Sequence, residues 1–214
     1  MHTKVISFYQ SSAVEQALAL LHQHQVIVAP TDTVYGLMCS FDDATAIEQI
    51  YIAKDRPPRK AIPVLIGDIV QLALLTPLPL SPLAGTLSER FWPGPLTLVL
   101  PALPALLPIL TAGQPTIAVR LPDHTLLRVL IRQAGPLAAT SANLSGGADT
   151  HTASDVLSQL RGRIPLILAD DDQGQRPVHH TTPSTIVDVA DLNGGGPRLL
   201  RHGALAEAVR QLLC

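Results

Sequence analysis

The sequence is poor in cysteine, in aromatic residues and in charge. Its only cysteines, Cys39 and Cys214, exclude a disulfide framework and a cysteine-rich zinc site, and they fit a reducing cytoplasm. Aromatic residues make up 3% and charged residues 15% of the 214 residues, so a core must be built mainly from Leu, Val, Ile and Ala. The formal net charge of -2 argues against a protein whose main task is to grip a nucleic-acid backbone. The length predicts one domain, residues 1–214.

No hydrophobic run is long enough to span a membrane. A transmembrane helix needs about 20 consecutive apolar residues, and the segment that comes nearest, Leu96–Leu110, is interrupted by three prolines. Proline cannot lie inside a regular helix, so we interpret this segment as a strand followed by a proline loop. The chain begins Met1-His2-Thr3-Lys4 without an apolar signal segment and is expected to lead into a polar helix. These absences predict a cytoplasmic protein with no membrane partner.

Several common catalytic motifs are missing as well. The sequence contains no G-x-x-x-x-G-K-[ST] loop, no G-x-G-x-x-G after a predicted strand and no G-x-S-x-G, so three frequent nucleotide-binding or hydrolase sites are excluded. Its eight histidines form no H-E-x-x-H pair, and we predict no protein-bound metal. Any ATP site in this chain must therefore differ from a P-loop.

Helical and strand patterns alternate along the chain. Ser12, with Glu15 three residues later, predicts a capping box, and Asp43 predicts the cap of a second helix. Short apolar runs predict strands at Val26–Ala29, Ile62–Ile66, Leu96–Leu100, Thr116–Arg120, Leu137–Thr140, Leu166–Ala169, Thr185–Val189 and Leu199–Leu200. Further helices are predicted at Leu83–Arg90, Leu126–Ala134, Ala153–Leu160 and Leu205–Leu213. The pattern is typical of an α/β fold.

Polar residues follow the first predicted buried strand where it ends. The run Val26–Ala29 is followed by Pro30–Gly36, PTDTVYG, which combines hydroxyls, a carboxylate and a glycine. Open α/β sheets bind ligands at such strand ends. After one predicted helix comes the basic loop Lys54–Lys60, KDRPPRK, whose cations suit phosphate groups. The two segments together predict a binding site for a polar, phosphate-bearing ligand.

Seven sequence blocks closely resemble, in order, the YrdC/TsaC family of threonylcarbamoyl-adenylate synthases. They are Pro30–Leu37, Lys54–Lys60, Pro93–Leu100, Thr116–His124, Ala139–Gly146, Pro183–Asp188 and Leu199–Gly203. The resemblance covers about Val26 to Gly203 and implies the short form of the family, a single YrdC-like domain. The implied fold is a twisted, mixed, open α/β sheet with helices around a concave cleft. The implied reaction converts L-threonine, bicarbonate and ATP to threonylcarbamoyl-AMP and pyrophosphate, for tRNA threonylcarbamoyladenosine modification.

The resemblance also implies roles for individual residues. Lys54 and Arg56 would be catalytic, because they would neutralise charge on the triphosphate during nucleotidyl transfer. The residues implied to contact ATP, which would enter with Mg²⁺, are Arg56, Lys60, Thr116, Ser141, Asn143 and Arg201. Those implied to contact threonine are Thr33, Arg120, Ala139 and Ser184. A guanidinium such as that of Arg120 suits a substrate carboxylate.

Two positions depart from the family pattern. Leu65 stands where longer members can have a substrate-contacting histidine, and Asp149 stands where a nucleotide-contacting hydroxyl is often found. A carboxylate close to a triphosphate is repulsive unless it faces Mg²⁺ or solvent.

Two other functions remain open from the sequence. The chain could be a translation-associated paralogue that uses the same cleft for tRNA or double-stranded RNA, although it has few aromatic residues on which bases could stack. It could also carbamoyl-adenylate another substrate, as the YrdC-like domain of hydrogenase maturation factors does within a longer protein. The synthase function further implies that downstream tRNA-modification proteins receive the adenylate.

Overall fold

The computed structural model describes residues 2–55, 57, 60–170, 182–191 and 194–213. Within them the strands are β1 (Lys4–Ser7), β2 (Ile27–Ala29), β3 (Gly36–Ser40), β4 (Val64–Leu65), β5 (Leu96–Pro101), β6 (Thr116–Arg120), β7 (Leu137–Ser141), β8 (Leu166–Ala169), β9 (Thr185–Asp188) and β10 (Arg198–Arg201). The helices are α1 (Ala13–His22), α2 (Ala44–Lys54), α3 (Pro82–Phe91), α4 (Pro108–Thr111), α5 (Thr125–Ala134), α6 (Ala153–Leu160) and α7 (Ala206–Leu213), with a 3₁₀ segment at Ile69–Leu74.

These strands form one mixed sheet in the order β1-β8-β2-β3-β7-β4-β6-β5-β9-β10. The pairs β1/β8, β2/β8, β4/β6 and β5/β9 are parallel, and the other neighbouring pairs are antiparallel. The order is open, with β1 at one edge and β10 at the other. The predicted α/β fold with a mixed open sheet is thus confirmed.

Both faces of the sheet are packed against helices. Successive side chains of a strand point to opposite faces, and in β2 the side chain of Val28 belongs to one apolar cluster while Ile27 and Ala29 belong to the other. Buried residues of α2, α3, α6 and α7 join Val28 on the first face. Helices α1 and α5 cover the second face.

Helices α1 and α5 cover only part of the second face. Their apolar cluster contains residues of β1, β2, β3, β4, β7 and β8. Thr97 of β5, Arg120 of β6 and Ile186 of β9 alternate with buried residues of the first face, so they point to the second face beyond these two helices. This uncovered part of the sheet carries the site described below.

The two predicted helix caps have different outcomes. Asp43 accepts a hydrogen bond from the Ala46 N–H at 3.0 Å and caps α2, as predicted. The prediction of a capping box at Ser12 was wrong. Ser12 has helical dihedral angles, φ -90° and ψ 0°, and its side chain makes no cap hydrogen bond. An N-cap normally needs an extended conformation, and the Ser12 hydroxyl instead accepts from the Gln16 amide at 2.9 Å.

The N-terminal segment also differs from its prediction. Residues 4–7 form β1 rather than leading directly into a helix, and they pair in parallel with β8, more than 150 residues later. Ile6 and Ser7 are buried by this pairing. In the proline-containing segment, Pro108–Thr111 forms the short helix α4 instead of a loop. None of the described helices combines the length and apolar character that a membrane span requires.

Candidate active site

A cleft of about 350 Å³ opens on the uncovered part of the sheet. Six residues that were predicted to bind substrate line this cleft: Thr33, Arg120, Ala139, Ser141, Ser184 and Arg201. They come from the loop after β2, from the ends of β6 and β7, from the residue before β9 and from β10. The structure thus brings together residues that lie up to 168 positions apart in the sequence.

Arg120 is buried at the inner side of the cleft, and three of its nitrogen atoms donate hydrogen bonds. Nε donates to the Gly94 carbonyl at 3.0 Å, Nη1 to the Thr33 hydroxyl at 2.8 Å and Nη2 to Asp32 Oδ1 at 2.5 Å. Burial lowers the pKa of Arg120, whereas the Asp32 carboxylate opposes that shift. An arginine stays protonated in proteins, so a fixed positive charge borders the cleft here.

The loop between β2 and β3 holds Thr33 in place. The Thr31 hydroxyl accepts from the backbone N–H groups of Thr33 and Val34 and donates to the Val34 carbonyl. Such a local side-chain to backbone pattern closes a tight turn. The turn presents both threonine hydroxyls to the cleft, 3.1 Å apart.

Arg201 also lines the cleft, in a different environment from that of Arg120. Its Nε donates to the Ser184 carbonyl and its Nη2 to the Ser184 hydroxyl, both at 2.8 Å. The Ser184 hydroxyl also lies 2.7 Å from that of the buried Thr97. Burial lowers the pKa of Arg201, and the nearby carboxylate of Asp149 opposes that shift. Two guanidinium groups therefore face a cleft in which Asp149 is the one carboxylate that the described residues supply.

Lys54, predicted to be catalytic, is held by backbone groups of the turn after β7, and its catalytic role stays a prediction. It is buried at the end of α2, outside the cleft lining. Its ammonium donates to the carbonyls of Ser141 and Asn143, at 2.5 Å each, and to Asn143 Oδ1 at 3.0 Å. An ammonium has three donors, and here they hold the turn that carries Ser141 to the cleft.

Asn143 is likewise engaged within this turn. Its Oδ1 also accepts from the Ser141 hydroxyl at 2.6 Å, and its Nδ2 donates to the Gly147 carbonyl at 2.7 Å. The side chain is buried and does not line the cleft. In this structure Asn143 stabilises the turn after β7, and Ser141 is the member of the pair that the cleft exposes.

Thr116, predicted to contact ATP, does not line this cleft, and its predicted role stays a prediction. It stands at the first residue of β6, whereas Arg120 is the last. Four residues along a strand cover about 13 Å, and Thr116 lines a second pocket of about 240 Å³ with Asp188 and Arg198. Thr116 and Arg120 therefore lie at opposite ends of the same strand and line different pockets.

The two remaining predicted cations come from the basic loop. Lys60 is exposed and precedes Ala61, which lines the cleft. Its carbonyl accepts from the Tyr51 hydroxyl at 3.0 Å. Arg56, predicted to be catalytic and to bind ATP, lies outside the described residues.

Sequence reasoning missed two polar residues of the site. Asp32 pairs with Arg120, and Thr97 bonds with Ser184. A hydroxyl inside the apolar strand Leu96–Pro101 is a signal for Thr97, because a threonine in a buried run needs a partner. For Asp32 the signal was its position between two threonines at a strand end, without any indication of its partner.

The two departures from the family pattern both line the cleft. Leu65 contributes an apolar surface beside Arg120, its register partner across β4 and β6. Asp149 faces the side of Arg201. Among the residues that the structure describes, no group of three or more His, Cys, Asp or Glu side chains could hold a metal ion.

Comparisons with known proteins agree with this architecture. A Threonylcarbamoyl-AMP synthase of Bacillus subtilis is 45% identical over 196 residues, which cover 91% of this chain and 54% of that protein. Another of Vibrio vulnificus is 38% identical over 161 residues, 73% of this chain and 86% of that protein. The crystal structure of Pyrococcus abyssi Sua5 complexed with L-threonine superposes with a TM-score of 0.89 at 31% identity, covering 100% of this chain and 61% of that one.

The relatives differ from this chain in length. This chain spans about half the length of the Bacillus subtilis relative that it matches. The sequence profile of the Sua5/YciO/YrdC family, described as telomere recombination, matches residues 19–203. That match includes the loop after β2, both arginines of the cleft and the turn that Lys54 holds. The chain therefore belongs to the Sua5/YciO/YrdC family.

Proposed function

We propose that this protein is a threonylcarbamoyl-AMP synthase that joins L-threonine, bicarbonate and ATP and releases pyrophosphate. The observation that carries the proposal is the pair of arginines, Arg120 and Arg201, that line one cleft. Two fixed cations in one cavity match a reaction that brings a substrate carboxylate and a triphosphate together. The names of the relatives and the threonine bound to Pyrococcus abyssi Sua5 support the same assignment.

The amino acid fits the side of the cleft that contains Arg120. Its carboxylate would accept from the buried guanidinium, which has five N–H donors and uses three in the bonds described above. The Thr33 hydroxyl is bonded to this guanidinium, and Ala139 lines the same cleft. This arrangement combines one charged anchor with small neighbours, as a compact polar substrate requires.

The triphosphate fits the side that contains Arg201. Arg201, Ser141 and the loop of Lys60 would surround the phosphates and would neutralise charge that builds up as pyrophosphate leaves. In the chemical step, the amine and bicarbonate would form a carbamate with loss of water. A carbamate oxygen would then bond to the α-phosphorus as the bond to pyrophosphate breaks.

The chain's own part in that step is positioning and electrostatic stabilisation. Holding two reactants in line supplies a large share of the rate acceleration in such transfers. Asp149 is the cleft carboxylate that would contact Mg²⁺ brought in with ATP, which would supply further positive charge to the phosphates, because Mg²⁺ is usually held by one or two carboxylates together with substrate phosphates. This contact removes the repulsion that a free carboxylate would exert on the triphosphate.

Pyrophosphate release by the purified chain tests the proposal. The assay contains ATP, Mg²⁺ and bicarbonate, with and without L-threonine, and the product is analysed by mass spectrometry. We expect release that depends on L-threonine and a product with the mass of threonylcarbamoyl-AMP. Pyrophosphate release only with another amino acid would assign that amino acid as the substrate. The absence of both pyrophosphate release and ATP binding would reject the proposed synthase function. The same protein would then be tested for tRNA and double-stranded RNA.

A further inference from the structure

We propose that Asp32 is a positioning residue that fixes the Arg120 guanidinium for the substrate carboxylate and thereby sets the affinity for the amino acid, not for the nucleotide. The inference rests on the proposed function, because it assumes that Arg120 binds a carboxylate. It concerns a residue that is buried, 2% exposed, and does not line the cleft. Asp32 can therefore act on the substrate through Arg120, not by direct contact.

The contacts of Asp32 fix its carboxylate on two elements. Oδ1 accepts from Arg120 Nη2 at 2.5 Å and from the Asp123 N–H at 3.1 Å. The first contact lies at the end of β6 and the second three residues later, so Asp32 joins the loop after β2 to the segment that follows β6. With the Gly94 carbonyl and the Thr33 hydroxyl, it gives the guanidinium one acceptor at each of its three nitrogens. The plane of the guanidinium is then fixed.

The second oxygen of Asp32 indicates that this arrangement is not optimised for stability. Oδ2 is buried and has no hydrogen-bond partner among the described residues. A buried polar atom without a partner costs free energy, and a buried ion pair is often less stable than an apolar replacement. A chain selected for stability alone gains little from this carboxylate, whereas a site that must orient a guanidinium needs it.

Direct binding measurements with the Asp32→Asn variant test the inference. The amide keeps an oxygen acceptor but loses the charge and the strong bond to Arg120. Because a hydrogen bond to a charged group is worth more than one decade of affinity, we expect the Kd for L-threonine to rise at least about tenfold and the Kd for ATP to stay within about twofold. Binding of L-threoninamide, which lacks the carboxylate, should be equal in variant and wild type.

A matched control removes another aspartate–arginine pair. Asp188 lies 2.6 Å from Arg198 at the other end of β9, outside the cleft, and Asp188→Asn should leave both affinities unchanged. If Asp32→Asn does not fold, Asp32→Glu keeps the charge and displaces the carboxylate, with the same expected loss for L-threonine. An unchanged Kd for L-threonine in a folded variant would overturn the inference, and so would an equal loss for ATP.

A measurement without substrate separates this inference from the proposed function. In protein labelled with ¹⁵N-arginine, the side-chain N–H signals of Arg120 can be assigned with Arg120→Lys. We expect slowly exchanging, separate signals in the wild type and faster, averaged signals in Asp32→Asn. Identical signals in the two proteins would overturn the role of Asp32. If the wild type binds no L-threonine, the synthase proposal fails, while this measurement still decides whether Asp32 fixes the guanidinium.

Discussion

The two arginines of the cleft are held in opposite ways. Arg120 is buried and donates to a carbonyl, a hydroxyl and a carboxylate from three separate segments of the chain. Arg201 lies on the edge strand β10, and both of its described bonds go to one residue, Ser184. Arg120 is therefore part of the folded core, whereas among the described residues the hydrogen bonds of Arg201 go to Ser184 alone.

This difference has a consequence for the chemistry of the cleft. A buried, fully oriented cation recognises a ligand of fixed geometry, such as the carboxylate of an amino acid. A cation on an edge strand can adjust to a group whose charge moves during the reaction, as a triphosphate does when pyrophosphate departs. In the function proposed above, the side of Arg120 would serve recognition and the side of Arg201 would serve charge neutralisation.

Replacement of the two arginines gives the largest contrast. Arg120→Met leaves the Asp32 carboxylate buried without its counter-ion, and we expect the free energy of unfolding to fall by about 3–5 kcal/mol. Arg201→Met removes a more exposed cation that has no carboxylate within ion-pair distance among the described residues, and it should cost less than about 1 kcal/mol. Urea denaturation of both variants measures the difference. Equal losses would show that the two sides are not held differently.

Lys54 extends the contrast to a second buried cation. Lys54→Met keeps the apolar stem but leaves the carbonyls of Ser141 and Asn143 without their donor, which should lower the free energy of unfolding by about 2–3 kcal/mol. Pyrophosphate release should fall at least about tenfold, because Ser141 shifts with the turn. The exposed Lys4, bonded to Gln16, is the control, and Lys4→Met should change stability by no more than about 0.5 kcal/mol. A stable Lys54→Met with normal activity would contradict this role.

A substitution at Gly203 tests the side of the cleft that contains Arg201. A Cβ at this position would overlap backbone atoms of Pro183, Ser184 and Thr185. Gly203→Ala should therefore move Ser184 together with Arg201, which is bonded to it, and lower the free energy of unfolding by about 1–3 kcal/mol, with a rise in KM for both L-threonine and ATP. Gly85 lies in α3 with nothing within 4 Å of a Cβ, so Gly85→Ala should stabilise by about 0.5–1 kcal/mol. Parallel thermal unfolding and kinetics of the two variants decide the point.

The smallest expected effect concerns the loop that carries Asp149. This loop ends at α6, where Thr152 and Asp155 form a capping box. Burial alone would raise the pKa of Asp155, but hydrogen bonds from His151 and Thr152 hold that pKa below its usual value. A lowered pKa in the folded state stabilises the protein above the unfolded pKa of about 4, and this stabilisation is lost as the pH falls through the folded pKa.

The Asp155→Asn variant provides the measurement. The free energy of unfolding of the variant should be lower than that of wild type by about 1 kcal/mol at neutral pH, and this difference should shrink as the pH is lowered below about 4. Denaturation at several pH values follows it. A difference that does not depend on pH would mean that the charge of Asp155 contributes nothing.

The sequence predicted most strands and the polar ends of several. Strands β6 and β8 have the predicted bounds, because apolar runs flanked by turn residues are a local signal. Strand β1 was missed, since Lys4–Ser7 becomes a strand only through pairing with β8. Ser12 failed as a cap because its backbone is helical, which composition alone does not indicate.

The site shows the same division. Residue type and a resemblance to a known family identified Thr33, Arg120, Ser141, Ser184 and Arg201, and the fold brings all five to one cleft. The same reasoning grouped Thr116 with them, whereas Thr116 lies at the other end of β6 from Arg120 and lines the second pocket. Whether Lys54 faces the cleft or is buried beside it depends on how α2 packs. The spacing of basic residues in the sequence gives no information about that packing.

The sequence by itself determined the α/β class, the positions of most strands and the types of side chain available for the chemistry, because these follow from local hydrophobic periodicity and composition. Only the tertiary structure decided which residues meet. It paired Asp32 with Arg120 and Thr97 with Ser184, and it turned Lys54 toward the turn after β7. Such contacts join segments distant in the chain, and buried polar groups find partners only once the sheet order is fixed.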